Sequence, residues 1–548
     1  MVLVEVFASV DALIKDGNRL DVPKDLLEER MPIISVQALI FILSTQNSDG
    51  SWASDESEEA TAHSLIALKS LVKFPCLEAL GKEVREAIEK GDAALVPRCK
   101  KLKMSNPAEA STAFVNWSSS THSQSAVCNV DGEPCGGDGL TPEIQKIVQK
   151  VHVFADFFSG LEHMQSSPYY LIKASIVEAL LYRPKLQAMR KDVFPATNAK
   201  EKDKYLDYIP IMWVLPGTSQ GLPTKPEFLL DMMVLSMYVF LADEYMESTV
   251  AQFSPVELAA LKARLGDICL PVGESLSSLQ CLPNNTLDSE EHRSMNGIDT
   301  ASSARLQNAK TVFRNFATYI YSYPRVSSAS QTEHLDLYAE TQSYLLSHII
   351  QLEDNARLAQ QPDSISTSKN PAARNRFLSP RISYHTWLNT IGAGHISGPW
   401  SFAFFTCVMS GSVRHGGIDT FQTIKQKLIA HSMNAHIGAF CRMYNDYGSI
   451  ARDREESNLN SLNFPEFFFK EGEDGDGERS FEKAKKTLLE SAVHERQRAN
   501  QEMQELCEIL EKEGMEGKDI SRRLRVYMGA CEHFSDMYLT KDVTNSVK

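Results

Sequence analysis

The chain has 548 residues, longer than one hydrophobic core usually serves, so two domains are the first expectation. Hydrophobic residues make up 43% and charged residues 23%, the balance of a folded globular protein rather than a disordered or fibrous one. A net charge of -15 excludes a nucleic-acid binder that works by overall positive charge, so any anionic ligand must be held locally, by metal ions or a few basic side chains.

The opening MVLVEVFASVDALIKDGNRL has acidic residues among its apolar positions and so lacks a secretory apolar core, and no run of about 18 apolar residues suggests a membrane span. A soluble cytoplasmic protein is the expectation. Ten cysteines show no CxxC pair and no Cys/His cluster at zinc spacing, which reads as reduced thiols; the nearest pair, Cys128 and Cys135, lies in a Gly-rich stretch. PIISVQALIFIL, SEEATAHSLIALKSLV and LGKEVREAIEKGDAALV space their apolar residues by three and four, predicting helices, with STQNSDGSWASDE as a turn between the first two. Residues 104–140 are rich in Ser, Gly, Asn and Pro without helical periodicity, and predict a linker between a region 1–103 and a region 141–548. From 141 onward the pattern is helical almost throughout, TEHLDLYAETQSYLLSHIIQLEDNARLAQ alone predicting one long helix. No fixed-period repeat and no alternating strands occur, so the fold class is all-α.

Two segments carry chemistry. PEFLLDMMVLSMYVFLADEYMESTV opens with Pro226 and Glu227, runs apolar for most of four turns, then places Asp243 and Glu247 one turn apart on one face with Glu244 beside them. Ser236 and Phe240 project from that same face, so the helix should present acid at the mouth of an apolar cavity. MYNDYGSIARDREESNLNSLNFPEF, residues 443–467, sets Asn445, Ser449 and Asp453 at i, i+4 and i+8, within one quarter of a helix circumference. These oxygens are hard ligands suited to Mg2+, and Arg442 and Arg452 near the second face fit an anionic ligand such as a diphosphate. Each segment alone also reads as a solvated helix end or a polar face with i,i+4 hydrogen bonds. Two of them, each adjoining strongly apolar helix, favour a shared site. LNTIGAGHISGPWSFAFFTCVMSG adds a break: Gly392, Gly394, Gly398 and Pro399 interrupt an apolar helix, releasing carbonyls toward a cavity lined by Trp400, Phe402 and Phe405, aromatics that core packing explains equally well.

DEYME resembles the aspartate-rich motif of class I terpene cyclases, and NDYGSIARD resembles their second metal motif, in which Asn, Ser and an acid ligate Mg2+. With HIIQLEDNARL, SGPWSFAFF and CRMYNDYGSIARDREESNLNSLNFPEF, the chain is similar to the class I half of fungal bifunctional copalyl diphosphate/kaurene synthases over roughly residues 145–545. QNSDGSWASDESEEATAHSLIALKSL, including Asp49-Gly50-Ser51-Trp52, resembles part of the α-barrel domain that precedes the class I domain, and the chain has no DxDD for protonation-initiated cyclisation.

The resemblance implies a class I terpenoid synthase helical bundle at 141–548, behind a partial α-barrel at 1–103. It implies Mg2+ held by Asp243, Glu244 and Glu247 on one side and Asn445, Ser449 and Asp453 on the other, with Arg442 and Arg452 on the departing diphosphate and no protein nucleophile. Glu247 stands where many relatives have Asp and Asp453 where many have Glu, which leaves open direct ligation by Glu247 and assistance from Glu456. The expected substrate is a C20 isoprenoid diphosphate, geranylgeranyl or copalyl, supplied by a separate prenyltransferase or class II cyclase. Farnesyl diphosphate, a chain-elongating prenyltransferase and a non-catalytic helical protein with a decayed cyclase fold are the alternatives.

Overall fold

The computed structural model describes residues 23, 26, 30–52, 58–72, 74–105, 142–161, 164–190, 193–195, 202–221, 224–270, 300–361, 376–468 and 477–540. Among the described residues every regular element is helical and there is no strand, as the spacing of apolar residues predicts. No helix there is long and apolar enough to cross a membrane. Cys128, Cys135 and nearly all of the expected 104–140 linker lie outside the described residues.

The chain divides into two compact units, Met1–Gln187 with Val214–Pro226, and Ala188–Trp213 with Glu227–Lys548. The first holds α1 (Met31–Ser44), α2 (Glu58–Leu71), α3 (Gly81–Ser105), α4 (Pro142–Ser159), nearly all of α5 (Tyr169–Met189) and the end of α6 (Lys202–Ser219). The helices of 142–187 thus group with the N-terminal ones. The SDGSW turn is built as its residues suggest: Asp49 Oδ1 accepts from the Ser51 amide (2.9 Å) and hydroxyl (2.6 Å), and the Asn47 amide donates to Ser51 O (2.8 Å). Gly50 is required here, because its φ of +88° is left-handed and an added Cβ would stand 2.3 Å from Lys90 O. The turn delivers Trp52 into the core, where its indole N–H donates to Ile42 O at 2.7 Å.

Within this unit α5 carries a buried acid, Glu178, whose Oε1 accepts from Gln37 Nε2 at 2.8 Å. Desolvation outweighs that single neutral hydrogen bond and pushes its carboxyl up to about 7. A carboxyl raised on folding binds more protons in the native state, so its contribution to stability is full below the unfolded value and is lost as pH climbs through about 7. Glu178→Gln keeps the acceptor for Gln37 and removes the titration. The variant should match the wild type near pH 4 and exceed it by ~3 kcal/mol near pH 8, read from melting curves across pH.

The second unit begins with the first turns of α6 and continues through α7 (Pro226–Ser248), α8 (Pro255–Lys262), α9 (Leu265–Ile268), α10 (Thr300–Tyr321), α11 (Gln331–Ala359), α12 (Tyr384–Trp387), α13 (Ala393–His395), α14 (Gly398–Met409), α15 (Ile424–Gly448), α16 (Ile450–Glu456), α17 (Gly477–Glu511) and α18 (Met515–Thr540). α11 is the long helix foreseen, 29 residues capped by Ser330, whose hydroxyl accepts from the Glu333 amide. α7 is apolar on all sides and buried along most of its length, the pattern of a central helix. α11 packs on α14, and α15 packs on α17 and α18. The break foreseen around Gly392–Pro399 is present. A π-helical segment, Leu388–Gly392, leads into α13, Ser397 takes a left-handed φ of 63°, and Gly398 and Pro399 start α14.

Candidate active site

The last turns of α7 carry the first acid row. Asp243 Oδ1 accepts from Tyr344 Oη at 2.8 Å and lies 3.1 Å from His348 Nε2, both side chains reaching it from α11. Burial, then the Asp243 charge, holds the Tyr344 hydroxyl well above its ordinary range, so it keeps its proton and donates. Glu244 closes a cleft between α6 and α7 that has apolar walls at Ile209, Met237 and Leu241, with Arg190 as its other polar member. Phe240 stacks on Tyr205 across that cleft at 4.2 Å, while Ser236 is turned to a different task, accepting from the Trp213 indole at 2.9 Å. Glu247 is exposed to solvent at the end of α7, with the neighbouring acids and Arg452 around it. Desolvation and then Asp243 push it up to about 7, with Arg452 and His348 opposing and Glu456 adding to the rise.

The second row sits at a joint between two helices, where a single straight helix was expected. α15 ends at Gly448, and Ser449 leaves helical geometry with ψ near 4°, although the Ser449 amide still donates to Asn445 O (2.9 Å) and the Asp453 amide to Ser449 O (2.8 Å). A tertiary contact accompanies the joint: Gly448 lies against α18, where an added Cβ would be 2.4 Å from Tyr538 O. Gly448→Ala should therefore cost about 1–3 kcal/mol by overpacking, visible as a lower denaturant midpoint. Past the joint, Ser449 Oγ donates to Asp453 Oδ2 at 2.5 Å, and Asn460 Nδ2 donates to the same oxygen at 2.8 Å. Arg452 lies 3.6 Å from Asp453 and 3.9 Å from Glu456. Asn445 is half-buried, and Ser449 and Asp453 are buried.

Arg442 is buried rather than presented at a rim. Its Nε is 2.9 Å from Asp446 Oδ1, Nη2 donates to Leu459 O at 3.2 Å, Nη1 is 3.2 Å from His395 Nδ1, and the guanidinium lies 4.8 Å from the Trp387 ring centre. Arginine only donates, so His395 accepts at Nδ1 and carries its proton on Nε2. Burial, His348 and Arg442 together keep that imidazole neutral, well below its usual range. Asp446 Oδ2 accepts from the Ser461 amide (2.8 Å) and hydroxyl (2.6 Å), so the stretch after α16 folds back beneath the joint.

His348 and His395 have ring centres 4.3 Å apart. A path of contacts therefore runs from the half-exposed Asp243 through His348, His395 and Arg442 to the buried Asp446, joining the end of α7 to the end of α15. Among the described residues, no group of three or more His, Cys, Asp or Glu side chains is assembled as a metal cluster. Trp400, Phe402 and Phe405 are packed in the core: Trp400 stacks on Tyr344 at 5.0 Å, and Phe402 and Phe405 both meet Tyr527.

Sequence reasoning passed over Tyr344, His348, His395, Asp446 and Asn460. A signal existed for the first two, which stand one turn apart as polar groups in the apolar run SYLLSHIIQL. Asn460 lies in a stretch without periodicity, where spacing says nothing.

Comparison with known proteins follows the same lines. A pimaradiene synthase of Emericella nidulans is 31% identical over 480 residues, covering 85% of this chain and 47% of the relative. An ent-kaur-16-ene synthase of Fusarium fujikuroi is 27% identical over 571 aligned positions, covering all of this chain and 55% of the relative. A bifunctional premutilin synthase of Rhodocybe pseudopiperita is 25% identical over 470 residues, 82% of this chain and 44% of the relative. The chain is a homologue of fungal diterpene synthases. This diterpene synthase homologue spans about half the length of the curated relatives it matches. No family model matches it, and no solved structure does.

Proposed function

We propose that the chain is a class I diterpene synthase, ionising a C20 isoprenoid diphosphate and releasing a cyclic terpene and diphosphate. The observation that carries this reading is the run of contacts from Asp243 through His348, His395 and Arg442 to Asp446, which links the helix ends that carry the two rows. The similarity to named diterpene synthases supports it. The donors fit Mg2+ in kind: all are oxygen atoms, and Glu247, driven up by desolvation and by Asp243, is crowded in the way a divalent cation relieves. Asp243, Glu244 and Glu247 would hold it on one side and Asn445, Ser449 and Asp453 on the other. When bound, Mg2+ would neutralise charge developing on the leaving diphosphate.

The remaining work belongs to the chain. Arg452 donates to the diphosphate oxygens from the side of α16, and Arg442 adds positive charge from its buried seat. The allylic C–O bond breaks with its electron pair passing to diphosphate, so no side chain needs to attack carbon. Apolar walls exclude water while the cation cyclises, and proton loss or water capture ends the reaction. Geranylgeranyl and copalyl diphosphate are the proposed substrates, supplied by a prenyltransferase or a class II cyclase.

Incubating the purified chain with geranylgeranyl, copalyl or farnesyl diphosphate, with Mg2+ or with chelator, and analysing the extract by mass spectrometry tests this. A cyclic C20 product that needs Mg2+ is expected. No product from any of the three, or a product indifferent to chelation, would overturn the reading.

A further inference from the structure

The carboxylate contacts of Asp243 converge on one oxygen. Tyr344 Oη donates to Oδ1 at 2.8 Å, and His348 Nε2 stands 3.1 Å from that same atom. Tyr344 and His348 occupy successive turns of α11, and both are buried, at 1% and 2% exposure, so neither rotates away without leaving the core. Each is backed by further packing. Tyr344 stacks almost parallel on Trp400 (5.0 Å, 9°), whose indole N–H donates to Thr341 Oγ1 at 2.9 Å, and His348 sits edge-on to Tyr344 and against His395. Tyr344 holds Oδ1 by a hydrogen bond, and His348 Nε2 faces the same oxygen as a close charge contact without a formed hydrogen bond, so Oδ1 is tied to α11 and Oδ2 is left as the outward acceptor.

We propose that Tyr344 and His348 are positioning residues that fix Asp243 for one-oxygen ligation of a divalent cation through Oδ2. The inference rests on the metal reading above and adds to it the groups that set the ligand's orientation. Removing either partner frees the carboxylate to rotate, so cation binding pays an ordering cost that the native site has already met. Partners of this kind typically change metal affinity by about 10- to 100-fold.

The test is a titration of the full chain with MgCl2 at a fixed concentration of inorganic diphosphate, following the melting temperature rather than turnover. Tyr344→Phe keeps the ring stack and deletes only the donor; His348→Leu removes the second contact; His348→Gln offers an amide N–H to the same oxygen. The expected result is a wild-type rise in melting temperature with a Mg2+ midpoint that moves up about 10-fold or more in Tyr344→Phe and His348→Leu and returns toward wild type in His348→Gln. Should His348→Leu fail to fold, the Tyr344→Phe and His348→Gln pair carries the same comparison. Variants with the wild-type midpoint would overturn the positioning role and leave the metal site standing. A wild type that gives no response to Mg2+ with diphosphate would overturn the metal site, and the positioning role with it.

Discussion

Asp243→Asn should reduce the proposed turnover of a C20 diphosphate by about 100- to 1,000-fold, the scale of losing one preorganised electrostatic group, while the melting temperature stays close to wild type. Asparagine is nearly isosteric and keeps the carbonyl oxygen that accepts from Tyr344, so the buried contacts with α11 survive. What disappears is the negative charge at the end of α7. That charge also acts on Glu247, second only to desolvation among the causes that raise it, so Glu247 should ionise at lower pH in the variant. Steady-state kinetics on the extracted product, with a melting curve on the same sample, measure both. Wild-type turnover in Asp243→Asn would falsify a ligand role for the acid row, and a large fall in melting temperature would reassign Asp243 to structure.

Arg442→Ala should destabilise the second unit by about 3–5 kcal/mol, the usual consequence of taking one partner from a buried ion pair. Asp446 has no exposed surface, and burial already raises its carboxyl, with Arg442 as the main opposing influence. Without the guanidinium, that carboxylate keeps only the Ser461 donors, Leu459 O is left with the Gln351 amide alone, and the space over Trp387 is left open. Denaturant unfolding should show a lower midpoint, and the double variant with Asp446→Asn should recover part of the loss. Arg452→Ala is the informative contrast. Arg452 stands 3.6 Å from Asp453 and 3.9 Å from Glu456 and is proposed above as a diphosphate donor, so its removal should cost turnover.

How much of this was legible beforehand depends on which physical constraint was local. The all-α class followed from the spacing of apolar residues, and the long helix α11 from an uninterrupted helical pattern. The break before α14 followed from Gly and Pro chemistry, which acts residue by residue. The joint at Ser449 was not readable, because nothing in NDYGSIARD distinguishes a bent helix from a straight one; the contact of Gly448 with Tyr538 comes from α18, remote in sequence. The burial of Arg442 was hidden for the same reason. A basic residue beside a polar row looks like a rim group until Asp446, Leu459 and Trp387 are seen around it. The grouping of residues 142–187 with the N-terminal helices likewise depends on tertiary contacts that a composition shift at 104–140 does not report.

At rest, the donors on the far side of the joint are spent on one another: Ser449 on Asp453, and Asn460 on the same carboxylate oxygen. The cation proposed for this site would have to replace bonds already made, so its net grip on this wall would be the difference between two good sets of partners. On the proposed reading, a multiply charged anion would tip that balance toward filling and its departure would tip it back, which would favour release after turnover.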